Sequence, residues 1–104
     1  MSLKFVIHNK LDNVGVAIDD IKAGEDVMGV YIEDRSEGPR LRALNDIPLG
    51  HKIALRDIRA GERVIKYGRV IGVATRDIRA GEHVHIRNLK SLRWGDLAKR
   101  GGSK

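Results

Sequence analysis

The sequence predicts a single all-β domain of many short strands joined at glycine turns. Three observations carry that expectation. The octapeptide D-I-[KR]-A-G-E-x-V occurs at Asp20–Val27, Asp57–Val64 and Asp77–Val84, each time three residues after an alanine (Ala17, Ala54, Ala74). Between the octapeptides lie runs of four to six residues rich in Val and Ile, too short for helices and bounded by Gly, Asp and Asn. Cysteine is absent from the 104 residues, so no disulfide or thiolate-bound metal can substitute for a packed core.

Each octapeptide reads as strand, turn, strand. Aspartate bonds to nearby backbone amides, glycine supplies the positive φ of a tight turn, and Ile and Val suit the strand ends on either side. The starts at 20, 57 and 77 are unevenly spaced, which excludes a solenoid or propeller and favours similar corners within one compact domain. Along the chain, Leu3–His8 alternates as a strand and Asp12-Asn13 marks a turn. Val14–Ile18 and Val27–Ile32 follow as strands. Glu33–Arg40, charged and holding Gly38 and Pro39, reads as a surface loop. Strands are expected at Leu41–Leu44, His51–Leu55, Val64–Gly68, Val70–Ala74 and Val84–Leu89. The helical candidate is Leu92–Arg100. The domain is drawn as residues 1–89, with 90–104 as a basic tail, partly helical or disordered.

A formal net charge of +6 raises the possibility of nucleic-acid binding, but the distribution argues against it. Residues 90–104 hold Lys90, Arg93, Lys99, Arg100 and Lys104 against Asp96 alone, and elsewhere acidic and basic residues interleave. With Phe5, Tyr31, Tyr67 and Trp94 as its aromatics, the chain has no evident platform for stacking bases. There is no apolar run long enough to span a bilayer and no charged-then-apolar leader, so neither a membrane nor secretion is expected and a cytoplasmic location fits.

Two segments could carry chemistry. Pro48-Leu49-Gly50-His51-Lys52 presents an imidazole and an ammonium side by side. Both can meet one ligand only if the segment turns, because adjacent strand residues face opposite ways. In His83-Val84-His85-Ile86-Arg87-Asn88, an extended backbone would put Val84 and Ile86 in the core and His83, His85 and Arg87 on the other face. Same-face neighbours lie about 7 Å apart, close enough to converge on an anion. The His-x-His spacing is also compatible with metal ligation by His83 and His85, and with a plain solvated strand face.

Asp12–Ala17, Ile47–Ala54 (I-P-L-G-H-K-I-A), Ile65–Gly72 (I-K-Y-G-R-V-I-G) and Gly81–His85 (G-E-H-V-H) form an ordered series over residues 3–89. Together they resemble the small N-terminal domain of the altronate/galactarate dehydratase family. The resemblance implies a SAF-like β-clip fold and a hydro-lyase that removes water from a sugar acid. It implies a divalent metal, typically Fe2+, in the complete enzyme, and a large catalytic region that here would be a separate subunit. A related pair that releases sulfite from sulfolactate leaves the leaving group open, and a homo-oligomer is compatible. Carried over residue by residue, it implies acid/base roles for His51 and His85. Substrate binding would fall to Lys52, Lys66, Arg87 and Asn88, and metal ligation to His83 and His85 at most. The family commonly reads H-V-H-x-H-N where this chain has Arg87 in place of the last histidine, which lowers the expectation of a metal on this subunit. A non-catalytic binding or assembly module shares the fold but expects His51 to be dispensable.

Overall fold

The structure, a computed structural model, describes residues 1–91. It holds nine strands: β1 (Ser2–Ile7), β2 (Val14–Ala17), β3 (Asp26–Tyr31), β4 (Glu37–Arg42), β5 (Lys52–Ala54), β6 (Arg63–Lys66), β7 (Arg69–Ala74), β8 (His83–Val84) and β9 (Leu89–Ser91). Six of them form a curled sheet in the order β4-β3-β1-β2-β5-β8, and the other three a sheet in the order β6-β7-β9. β1 and β3 pair in parallel, and the remaining neighbours are antiparallel. The described residues contain no helix, and the fold is all-β, consistent with a β-clip. The helix expected at 92–100 lies outside the described residues.

The octapeptides build corners, and there are four of them. Asp46-Ile47-Pro48-Leu49-Gly50-His51-Lys52-Ile53, preceded by Ala43, repeats the geometry of the other three. Gly24, Gly50, Gly61 and Gly81 all take φ between 85° and 90°, which a Cβ-bearing residue reaches only with strain. Their amides donate to the carbonyls of Ala43, Ala17, Ala74 and Ala54 at 2.7–2.8 Å. The alanines of the sequence pattern are therefore the acceptors of a partner corner. The aspartates also cross over rather than bonding within their own turn. Asp46 and Asp20 accept from the amides of Ala23 and Leu49, and Asp77 and Asp57 from those of Ala60 and Ala80, at 2.8–2.9 Å. Corners thus work in pairs, 20–27 with 46–53 and 57–64 with 77–84, each joined by an isoleucine bridge, Ile21 to Ile47 and Ile58 to Ile78.

Each pair encloses its own core. Phe5, Ile7, Ala17, Ile21, Val27, Ala43, Ile47 and Ile53 pack in one half, and Val14, Ala54, Ile58, Val64, Ala74, Ile78, Val84 and Leu89 in the other. The halves meet along β2 and β5, which give Ala17 and Ile53 to the first core and Val14 and Ala54 to the second. Gly29 belongs to the first core for a steric reason, since a Cβ there would overlap the Phe5 ring.

Two expectations change. The second half of the segment read as a loop, Glu37–Arg40, lies in β4, which pairs with β3 from Asp26↔Arg42 to Val30↔Glu37. Pro39 is tolerated because β4 is the edge of its sheet. The strand expected over Val84–Leu89 ends at Val84, and residues 85–88 form a turn closed by donation from the amides of Asn88 and Leu89 to the His85 carbonyl (3.0 and 2.9 Å). Ile86, expected in the core, is consequently 90% exposed.

Candidate functional site

The four corners differ at their sixth position, which holds Glu25, His51, Glu62 and Glu82. Each glutamate folds back so that its Oε1 accepts from the amide three residues earlier: Lys22 (3.0 Å), Arg59 (2.9 Å) and Arg79 (2.9 Å). In the fourth corner that place is taken by Pro48, which has no N–H to give. A side chain at position 51 is thus released from closing the turn. It is a histidine, and its Nδ1 lies 3.0 Å from Nε2 of His83.

His83 opens β8, where it opposes Ile53, so the β5–β8 pairing brings the two imidazoles together. Their ring centroids are 5.1 Å apart, and the His85 ring centroid lies 4.4 Å from that of His83. The backbone around them is pinned by two asparagines. Asn45 Oδ1 accepts from the His83 amide (2.9 Å). Asn88, fully buried, accepts from the His85 amide through Oδ1 (2.9 Å) and donates through Nδ2 to the His83 carbonyl (2.8 Å). The turn at 85–88 is the product of that asparagine, and it keeps His85 beside His83 although the strand has ended.

The electrostatics of the group are one-sided. His83 is held down to about 4, first by burial and then by His85, His51 and Lys52, so its ring is neutral at pH 7. His85 is lowered by burial and by the guanidinium groups of Arg87 and Arg76. The Arg87 amide donates to His85 Nδ1 (3.2 Å), which places the proton of the neutral ring on Nε2. Lys52 is lowered by partial burial and by the neighbouring charge of Lys66. Glu82, the carboxylate acting on His85, is already engaged with the Arg79 amide. Between His51 Nδ1 and His83 Nε2 one nitrogen must donate and the other accept, so a single proton lies between the two rings across 3.0 Å.

An open groove of about 410 Å3 runs past these groups, lined by Gly50, His51, Lys52, Val84, His85, Ile86, Leu89 and Ser91. A larger one, about 570 Å3, lies between the corners at 57–62 and 77–82. Its carboxylates, Asp57, Glu62, Asp77 and Glu82, each hold a backbone amide, which leaves no free acid or base there.

The structure therefore brings together His51, His83, His85 and Lys52, with Arg87 on the turn beside His85. Lys66 acts on Lys52 from the β6–β7 hairpin, where its ammonium lies 5.0 Å from the Tyr67 ring centroid. Asn88, expected to touch substrate, is withdrawn into the protein with both amide atoms engaged, and serves as a strut. Sequence reasoning misses Asn45 and takes Pro48 only as a turn residue. The signal for both is the degenerate fourth repeat, A-x-x-D-I-P-L-G over Ala43–Gly50. Among the described residues no group of three His, Cys, Asp or Glu side chains is arranged to hold a metal ion. Two imidazole nitrogens beside an ammonium, with no carboxylate to offset a dication, do not fit a divalent metal site on this chain alone.

A family profile described as the altronate/galactarate dehydratase SAF domain matches residues 3–92. The chain belongs to this family. It is 41% identical over 95 residues to the (2R)-sulfolactate sulfo-lyase subunit alpha of Chromohalobacter salexigens, covering 90% of this chain and 100% of that protein. It is 51% identical over 55 residues to the subunit of the same name from Paracoccus pantotrophus, covering 53% of this chain and 82% of the relative. The altronate dehydratase of Bacillus subtilis is 39% identical over 87 residues, covering 84% of this chain but 16% of the dehydratase. As a SAF domain, the chain is thus related both to sugar-acid dehydratases and to a sulfo-lyase subunit. No helix among the described residues is long and apolar enough to cross a membrane.

Proposed function

We propose that this SAF domain is the small subunit of a lyase that cleaves a bond β to the carboxylate of a hydroxy acid, in the manner of a sugar-acid dehydratase. It would work with a large catalytic region carried by a separate chain. The observation that carries the reading is the His51–His83 pair, two imidazole nitrogens 3.0 Å apart at the edge of a groove whose charged lining residue is Lys52.

Elimination needs a base for the proton α to the carboxylate and an acid for the leaving group. His51, at the exposed end of the pair, is the group that reaches substrate. In its protonated form it gives a proton to the departing hydroxyl, which leaves as water, and it is recharged by the proton that the large region's base removes from the α carbon. The depressed basicity of His83 keeps that ring neutral, so its Nε2 accepts from the His51 Nδ1–H and holds the imidazolium in place without taking its proton. His85 extends the pair along the groove, Lys52 in its lining offers a charge-assisted hydrogen bond to the carboxylate, and Arg87 on the turn beside His85 is a second candidate for it. Groups that abstract the α-proton are assigned to the large region, since the corner carboxylates here are engaged with backbone amides. Any divalent metal the reaction uses would likewise be held there.

A second reading is favoured by the same cationic groove and by the full-length match to a sulfo-lyase subunit: the acid is a sulfolactate and the leaving group sulfite. The test is co-expression with a candidate large catalytic chain, followed by assay of 2-keto-3-deoxy acid formation from aldonates and aldarates and of sulfite release from sulfolactate. His51→Gln is expected to lower kcat by about 10²- to 10⁴-fold, the range of a lost general acid. Full turnover in that variant would reduce the domain to a non-catalytic cap. Sulfite release without dehydration would select the second reading.

A further inference from the structure

Tyr67 lies in the two-residue turn between β6 and β7 at φ 58°, followed by Gly68 at φ 71°. Two consecutive positive φ values are the signature of a turn that asparagine or aspartate followed by glycine forms readily and that a bulky aromatic residue resists. The fold meets this strain with Asp12, almost fully buried, whose carboxylate accepts from the amides of Tyr67 (3.0 Å), Gly68 (2.8 Å) and Asn9 (3.2 Å). The gain is not packing, because Tyr67 stays 57% exposed. Its ring is instead held at the surface, with the His8 ring tilted against it at a centroid distance of 4.1 Å and the Lys66 ammonium 5.0 Å from the centroid.

The strand register relates this cluster to Lys52, which lines the histidine groove. Val6 pairs with Val16 and Val16 with Lys52, so the outward face of β1 that bears Val6 and then His8 is the face that bears Lys52. Lys66, from the Tyr67 hairpin, is close enough to Lys52 to weaken its hold on a proton. We propose that Tyr67, presented by its strained turn and flanked by His8 and Lys66, is a specificity-determining contact for the hydroxyl-bearing end of the acid whose carboxylate rests at Lys52. A phenol can both donate to and accept from a hydroxyl, which an ammonium cannot do. The assignment rests on the hydroxy-acid reading given above.

The experiment compares the wild-type chain with Tyr67→Asn, Tyr67→Phe and His51→Gln. Each is melted, and each is titrated with altronate and with sulfolactate while imidazole and amide NMR signals are followed. Tyr67→Asn is expected to melt at or above the wild-type temperature, because asparagine suits the turn, yet to bind altronate about fivefold more weakly, the loss of one hydrogen bond. Tyr67→Phe should leave the melting temperature unchanged and show the same weakening. Sulfolactate, which lacks the polyol chain, should lose less. A Tyr67→Asn melting temperature below wild type would make the ring structural and overturn the inference. Unchanged altronate binding in both tyrosine variants, with binding lost in His51→Gln, would overturn it and leave the groove standing. Absence of any shift in the wild-type histidines with either acid would remove the hydroxy-acid reading and this assignment with it.

Discussion

Replacing Asn88 by alanine tests whether the histidine geometry depends on one buried amide. Asn88 is fully buried and makes two hydrogen bonds, from the His85 amide to Oδ1 (2.9 Å) and from Nδ2 to the His83 carbonyl (2.8 Å). Each is worth about 1 kcal/mol net, but truncation also leaves a backbone donor and a backbone acceptor without partners, and an unmet buried group costs about 1–3 kcal/mol. Some of that is recovered where water reaches the two half-buried histidines, so a total loss of about 2–4 kcal/mol is expected. For a domain of this size each kcal/mol moves the melting temperature by roughly 4–8 °C, so a fall of at least about 8 °C is predicted. Asn88→Asp should not rescue, because its second oxygen would face the His83 carbonyl oxygen instead of donating to it. Thermal unfolding followed by circular dichroism measures the loss. Amide exchange should show it concentrated at residues 83–89, ahead of β1–β3. A change below about 0.5 kcal/mol, the size of an ordinary surface substitution, would refute the strut and return Asn88 to the ligand.

Two further outcomes are expected. The double variant Pro48→Arg/His51→Glu gives the fourth corner the amide and the carboxylate with which the other three close their turns. Folding stability should rise by up to about 1 kcal/mol, less the chain entropy returned by losing proline, while acid binding in the groove is lost. Retained binding would show that His51 is not a contact. The second concerns pH. The folded pKa of His83 lies near 4 and the unfolded value near 6.5, so between those limits the unfolded chain takes up a proton that the folded chain refuses. Stability must therefore fall as pH drops through that window, with the full deficit present below about 4, and the depressed His85 adds to it with the same sign. Because His83 is only half-buried, solvent screening limits its share to about 1 kcal/mol. His83→Gln should flatten the pH dependence of the melting temperature by that amount. An imidazole titration placing His83 at or above 6.5 would contradict the effect.

Most of the strand framework could be read from the chain, because glycine corners and β-branched runs state a local preference that the tertiary structure agrees with. Failures arose where a partner decided the outcome. Glu37–Arg40 has the composition of a loop, and only the free edge of β3 makes it a strand. Val84 and Ile86 alternate as if buried together, but the Asn88 side chain captures the His83 and His85 backbone and turns the chain before Ile86 can point inward. The candidate residues were identifiable by type, yet the contact that gives them meaning, His51 to His83 across 32 positions of sequence, depends on the β5–β8 register. The fourth corner was visible in principle through Ala43, Asp46, Ile47 and Gly50, and was hidden by Pro48, Leu49 and His51, the positions at which it differs from the others.

Those differences explain why the site sits where it does. The corner that lost its turn-closing glutamate belongs to the first half of the molecule, while His83 and His85 belong to the second, immediately after the glutamate that still closes its turn. The seam between the halves is tied by Leu44, whose amide donates to the Gly81 carbonyl, and by Asn45, which reaches from the first half to the His83 amide. Both imidazoles therefore stand at the junction of two separately packed cores, each on a backbone fixed by its own half. Side chains at such a junction can be exchanged without opening either core, which is the condition for changing chemistry on a fold that keeps its stability. It also means that loosening the seam should degrade the His51–His83 contact before either half unfolds.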